Sequence, residues 1–242
     1  MQLTTTLGSL PCRVLQAGSG VRELTVVLCH GFGAPGDDLV PLGAAFFERR
    51  PELAARARFV FPEAPLSLEQ LGLPYGRAWW QIDLDRIAAA RDAESIRRLS
   101  QDTPEGLPRA RRLLLGLLEE LRRSTEGPSR IVLGGFSQGA MVATDVALRV
   151  DEAPAALIIW SGTLISAEEW RKRAPARRSL KVFQSHGTQD PLLPFQRAVA
   201  LRDLLVKAGL EVDFLAFDGV HAIPLEALKR TADFLVHCLA ER

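Results

Sequence analysis

No stretch of this 242-residue chain stays apolar for anything near the ~20 residues a membrane-spanning helix needs. The opening residues Met1-Gln2-Leu3-Thr4-Thr5-Thr6-Leu7 carry neither a basic cluster nor an apolar core, so no secretory signal is expected. Cysteine is scarce. Cys12, Cys29 and Cys238 are odd in number, widely spaced and lack any C-x-x-C pair. That pattern supports neither a disulfide framework nor a zinc site, and it points to free thiols in a reducing, cytoplasmic setting. Only four lysines (Lys172, Lys181, Lys207 and Lys229) stand among 30 basic residues, which balance 29 acidic ones to a net charge of +1. There is thus no electrostatic case for nucleic acid or an anionic membrane as principal partner. With four histidines in all, any role that needs an imidazole can be assigned by elimination.

What is present is an ordinary globular composition, 47% hydrophobic and 24% charged. No internal repeat, low-complexity tract or convincing linker divides the chain, so one domain over residues 1–242 is expected. Residues 2–17 read as one or two opening strands before a turn at Gly18 to Gly20. Short apolar runs rich in branched residues follow at Leu24 to Cys29, around Phe59-Val60-Phe61, at Arg130 to Gly134, Ala156 to Trp160, Leu180 to Gln184 and Val212 to Phe217. Between them lie helical segments at 39–50, 108–123, 140–148, 195–208 and 224–239. In the second of these, Leu113, Leu114, Leu117, Leu118 and Leu121 form an apolar stripe. Strands alternating with helices predict an α/β fold with a mostly parallel sheet covered on both faces. Residues 84–107 are charged and mixed, a helix followed by a polar loop.

The chain is organised around Gly135-Phe136-Ser137-Gln138-Gly139, a G-x-S-x-G between a strand and a helix. A serine on so tight a turn needs glycine two residues to either side, because side chains there would strike neighbouring backbone. The helix behind it directs unpaired N–H groups and a positive dipole end at the reaction centre. The bland alternative is a glycine-rich strand-to-helix turn.

A serine hydroxyl needs a base to take its proton, and the base a carboxylate to orient it. His237 lies among apolar residues of the last helix, His30 precedes the serine, and His186 directly follows a strand, where its ring braces a loop. His221, in the loop after the last strand, is the expected base. The order Ser, acid, His then selects Asp190, in a loop stiffened by Pro191, although an Asp-Pro pair also makes turns. Asp213 sits inside a strand pattern and Asp218 is too close in sequence to His221. Two N–H donors should form an oxyanion hole: Gln138, after the nucleophile, and Phe32 in His30-Gly31-Phe32-Gly33, with Gly33 next in line.

At these residues the chain resembles the acyl-protein thioesterase and phospholipase/carboxylesterase family of α/β-hydrolases. The matching pieces are Leu28 to Gly33, Leu133 to Gly139, His186-Gly187-Thr188-Gln189-Asp190-Pro191-Leu192-Leu193-Pro194, and His221. The resemblance implies hydrolysis of carboxylic esters or thioesters by Ser137, Asp190 and His221, with oxyanion donors at Phe32 and Gln138 and no metal or cofactor. It also implies a shallow acyl groove, for which Trp79, Trp80, Leu192 and Leu193 are candidates, although core packing accounts for the tryptophans equally well. The chain departs from the family at Ala140 and Val220, where glycine is frequent, and in the long charged segment 84–107, a candidate partial lid without a large cap domain. A non-catalytic binding protein on the same scaffold, and a peptidase or C–C hydrolase with the same triad, are the alternatives. No integral membrane association is expected, and a homo-oligomer is left open.

Overall fold

The computed structural model describes residues 1–18, 22–82, 92–123 and 130–240. An eight-stranded sheet runs through it. Strands β1 (Gln2–Leu7) and β2 (Leu10–Gln16) form an antiparallel hairpin. β2 pairs antiparallel with β4 (Ala57–Pro62), which lies parallel to β3 (Leu24–Cys29). A small ladder, β5 (Leu66–Ser67) with β6 (Arg77–Ala78), stands outside the sheet. Beyond β3 come β7 (Arg130–Phe136), β8 (Ala156–Trp160), β9 (Lys181–Gly187) and β10 (Glu211–Phe217), all parallel. The spatial order is β1-β2-β4-β3-β7-β8-β9-β10. This places the ends of β3, β7, β9 and β10 along one edge, where loops from distant parts of the sequence meet.

Period-two alternation divides the strands between two cores. Leu24, Val26 and Leu28 face helices α1 (Val40–Arg49), α2 (Pro51–Arg56) and α8 (Leu225–Ala240). Val27 and Cys29 face the other side, covered by α4 (Leu107–Arg123), α5 (Gln138–Ala147), α6 (Ala167–Arg173) and α7 (Phe195–Lys207). The fold is thus α/β, mostly parallel, with helices on both faces. The stripe of α4 is buried at Leu114, Leu117, Leu118 and Leu121. Asp145 of α5 is fully buried and is met by Arg111 of α4, by Arg149, and by the Trp170 indole N–H of α6 at 2.9 Å. Two helices, α4 and α6, are thereby fixed around the one that follows Ser137.

One feature differs from the expected elements. A separate helix α2 follows α1 because Arg50 is extended (φ −136°, ψ 97°) and Pro51, with no N–H to satisfy, starts a helix readily. In the charged segment after Trp80, as expected, a helix α3 (Ala93–Gln101) precedes a polar loop, its start capped by the Asp92 carboxylate on the N–H groups of Glu94 and Ser95. Residues 83–91, which include the first part of the candidate lid, lie outside the described residues, as do residues 19–21, which include the end of the expected early turn. All three cysteines are buried and free. Among the described residues no helix is long and apolar enough to cross a membrane.

Candidate active site

Ser137 sits between β7 and α5 at φ 54°, ψ −118°, a region a non-glycine residue occupies only under constraint. Its N–H is held by the Trp160 carbonyl at 2.8 Å. A Cβ added to Gly135 or Gly139 would lie under 3.0 Å from the backbone of Cys29, a distance real Cβ atoms essentially never show. The glycines therefore let β7 and α5 close against the end of β3. Ala140, where the family favours glycine, is accommodated because Gly162 faces it: a Cβ there would come within 2.8 Å of the Ala140 methyl.

The His221 ring lies beside the elbow, its centroid 4.8 Å from that of Phe136. Its Nδ1–H donates to Asp190 Oδ2 at 2.6 Å, which leaves Nε2 as the free nitrogen. Two loops hold this pair. Ser161 donates its hydroxyl to the Ala222 carbonyl at 3.1 Å, and the Gln189 N–H binds the Gly219 carbonyl at 2.9 Å. The Val220 carbonyl lies against Gly187, and the Val220 side chain is left in solvent. Among the described residues the Ser137 hydroxyl makes no hydrogen bond.

The two Asp190 oxygens face different partners. Oδ1 accepts the N–H groups of Leu192 and Leu193 at 2.9 and 2.8 Å, forming the turn, while Oδ2 faces His221 and His186. Burial alone would raise its pKa, but the hydrogen bonds from His186, His221 and the Leu193 N–H outweigh it and hold the carboxyl well below its usual range. His186 lies with Nε2 2.8 Å from the Leu193 carbonyl and 3.2 Å from Asp190. Both neighbours accept, so Nε2 carries the hydrogen and the ring braces the loop. His30 is likewise occupied. Its Nε2 accepts the Ala64 N–H at 3.0 Å, and burial pushes its pKa down to about 4. His237 is exposed on α8.

The loop after β3 abuts Ser137: a Cβ on Gly31 would stand 3.4 Å from the Ser137 Cβ. The Phe32 and Gln138 N–H groups have no backbone acceptor among the described residues, whereas the Gly33 N–H is bound to the Arg77 carbonyl at 2.9 Å. Gly33 is therefore not a free donor. The fully buried Gln138 side chain adds a link absent from the sequence reading. Its Oε1 accepts the Trp79 N–H and its Nε2 donates to the Trp80 carbonyl, both at 2.8 Å. The Trp79 indole then donates to the His30 carbonyl at 3.0 Å. One amide thus ties the elbow to the segment that steadies the other donor loop.

A cavity of about 380 Å³ opens on Ser137 and Gln138. Trp80, Met141, Ile165 and Leu193 supply apolar wall, and Leu99 with residues 102–105 closes another side. Two of the expected groove residues fall elsewhere. Trp79, 1% exposed, packs in the core and uses its indole N–H on the loop. Leu192, 54% exposed, points away while its N–H serves the Asp190 turn. Arg197 of α7 also lines the cavity. Its sequence signal is a charge on the same helix face as Ala198, Leu201, Leu204 and Leu205, all buried. A larger hollow of about 720 Å³ between β1, β2, β4 and α4 includes none of the Ser137, Asp190 or His221 side chains.

The sequence profile described as phospholipase/carboxylesterase matches residues 10–239. Acyl-protein thioesterase 1 of Mycosarcoma maydis is 30% identical over 232 residues, covering 92% of this chain and 94% of that one. Its namesake in Neurospora crassa is 27% identical, covering 89% and 86%. Among solved structures, esterase PE8 superposes with a TM-score of 0.76 at 28% identity, covering 97% of this chain and all of that one. Zea mays acyl-protein thioesterase 2 shares the fold, with a TM-score of 0.69 at 20% identity over 95% of this chain and 99% of its own.

Proposed function

The chain belongs to the phospholipase/carboxylesterase family of α/β-hydrolases, and from its site we propose the path by which it works as a serine hydrolase of carboxylic esters or thioesters. Ser137 Oγ attacks the substrate carbonyl and passes its proton to His221 Nε2. The negative oxygen of the tetrahedral intermediate rests on the N–H groups of Phe32 and Gln138, each worth about 3 kcal/mol in the transition state. Collapse expels the alcohol or thiol, which takes the proton back from His221 and leaves the acyl group on Ser137. A water then gives its proton to His221, attacks the acyl carbonyl and restores the serine as the acid departs. Asp190 keeps Nδ1 protonated and stabilises the imidazolium.

The observation that carries this reading is the 2.6 Å His221–Asp190 hydrogen bond beside a strained serine at a cavity mouth. Leu99 and residues 102–105, which border the cavity, are read as part of a partial lid within 84–107, and residues 1–242 as one catalytic unit. Three free, buried thiols support a cytoplasmic location. The test is hydrolysis of p-nitrophenyl esters from acetate to palmitate by wild type and Ser137→Ala. The variant should lose about 10⁴-fold or more in kcat at every length. Equal rates in the two proteins would overturn the assignment.

A further inference from the structure

Arg197 stands on the buried stripe of α7, 4% exposed, where helical spacing calls for an apolar side chain. The groups it hydrogen-bonds are neutral. Nε donates to Ser100 Oγ at 3.3 Å, and Nη2 to the carbonyls of Leu164 and Leu99 at 3.0 and 3.4 Å. These bonds pin α3 and the segment after β8 to α7. They use three of the five guanidinium donors, and the Nη1 pair has no acceptor among the described residues. No described carboxylate forms an ion pair with it, although the charge of Asp102 acts on it. Burial pushes its pKa down to about 10, so the side chain remains cationic at neutral pH. A buried guanidinium without a paired anion is costly, and an apolar residue would fill the stripe without that penalty.

The same residue lines the cavity that holds Ser137. The cavity's other charged groups, Asp102 and Glu105, are exposed at its border, where solvent and salt weaken them. Resting on the reading of Ser137 as the nucleophile, we infer that Arg197 is an anion-recognition residue of this cavity and that the enzyme prefers esters or thioesters bearing a carboxylate. The free Nη1 donors bind the carboxylate oxygens and complete the shell of a cation otherwise held by neutral groups.

Two matched pairs test this with the full-length protein. One carries the charge on the acyl side, mono-p-nitrophenyl adipate against its methyl ester. The other carries it on the leaving group, 4-carboxyphenyl butyrate against its methyl ester. The readout is the ratio of kcat/KM, acid over methyl ester, which does not depend on the folded fraction of a preparation. In one pair wild type should favour the acid by roughly tenfold, the scale of one charge-assisted hydrogen bond. Arg197→Met should bring that ratio to one or below, Arg197→Lys should retain part of it, and about 0.5 M salt should leave most of the wild-type preference intact. Should wild type favour the methyl ester in both pairs, or Arg197→Met keep the ratio, the assignment is overturned while the hydrolase reading stands. If p-nitrophenyl butyrate and all four matched esters resist hydrolysis, the hydrolase reading fails, and the inference with it.

Discussion

At the elbow, backbone sterics leave almost no choice of residue: Gly135 and Gly139 lie against the end of β3, and Ser137 holds a conformation that only such crowding enforces. Across the cavity, Leu99 and residues 102–105 come from a helix end and a polar loop, with Asp102, Thr103 and Glu105 exposed. One region is specified by where atoms cannot go, the other by which side chains line a space. On the proposed reading, the first sets the reaction and tolerates no substitution, while the second sets substrate choice and can vary.

Substitutions should separate the two regions. The largest effect is expected from Asp190→Asn, which leaves the turn but removes the carboxylate that fixes the His221 tautomer. It should lower kcat by about 10⁴-fold in steady-state assays. Next is the acid stability of the buried groups near the elbow. His30 has its pKa depressed from 6.5 to about 4. Between those values the unfolded chain binds a proton that the folded chain refuses. The contribution of His30 is therefore full above the ordinary imidazole range and is lost as pH falls toward 4, roughly 3 kcal/mol in all. Denaturant melts at pH 7, 5.5 and 4 should show that loss, and His30→Gln should flatten it.

Gln138→Ala keeps the backbone N–H but removes the amide that binds Trp79 and Trp80. A 10- to 100-fold fall in kcat is expected, on the order of 1.4–2.8 kcal/mol. A purely structural role would instead lower Tm and the active fraction while leaving kcat per active site unchanged. The smallest effect belongs to the wall. Leu99→Ala should shift the optimal acyl length and change kcat/KM only a few-fold for any one ester, about 1 kcal/mol. A wall substitution that abolished turnover of all lengths would break the division between the two regions.

The elbow was legible in the sequence because its demands are steric and local: two glycines, a serine, a strand before and a helix after. Asp190 and His221 were legible because each follows a strand and few alternatives existed. The stripe of α4 followed from its spacing alone. What escaped notice depends on long-range pairing. The Gln138 amide meets Trp79 and Trp80 across 59 and 58 residues of chain. That contact draws Trp79 into the core, so two adjacent tryptophans with similar sequence surroundings have different tasks. Leu192 and Leu193 divide in the same way, because the Asp190 turn sends one outward and the other into the cavity wall. Arg197 is a charge on an apolar helix face, but its cavity is assembled from α3, α5 and α7, which no local pattern relates.

The most direct test of the account is covalent capture of the nucleophile. The protein is treated with a fluorophosphonate and its intact mass and peptides are measured, in wild type and Ser137→Ala. One adduct per chain on the peptide that contains Ser137, lost in the variant together with ester hydrolysis, is the predicted result. Hydrolysis that persists with Ser137 unmodified, or an adduct on another residue, would contradict it.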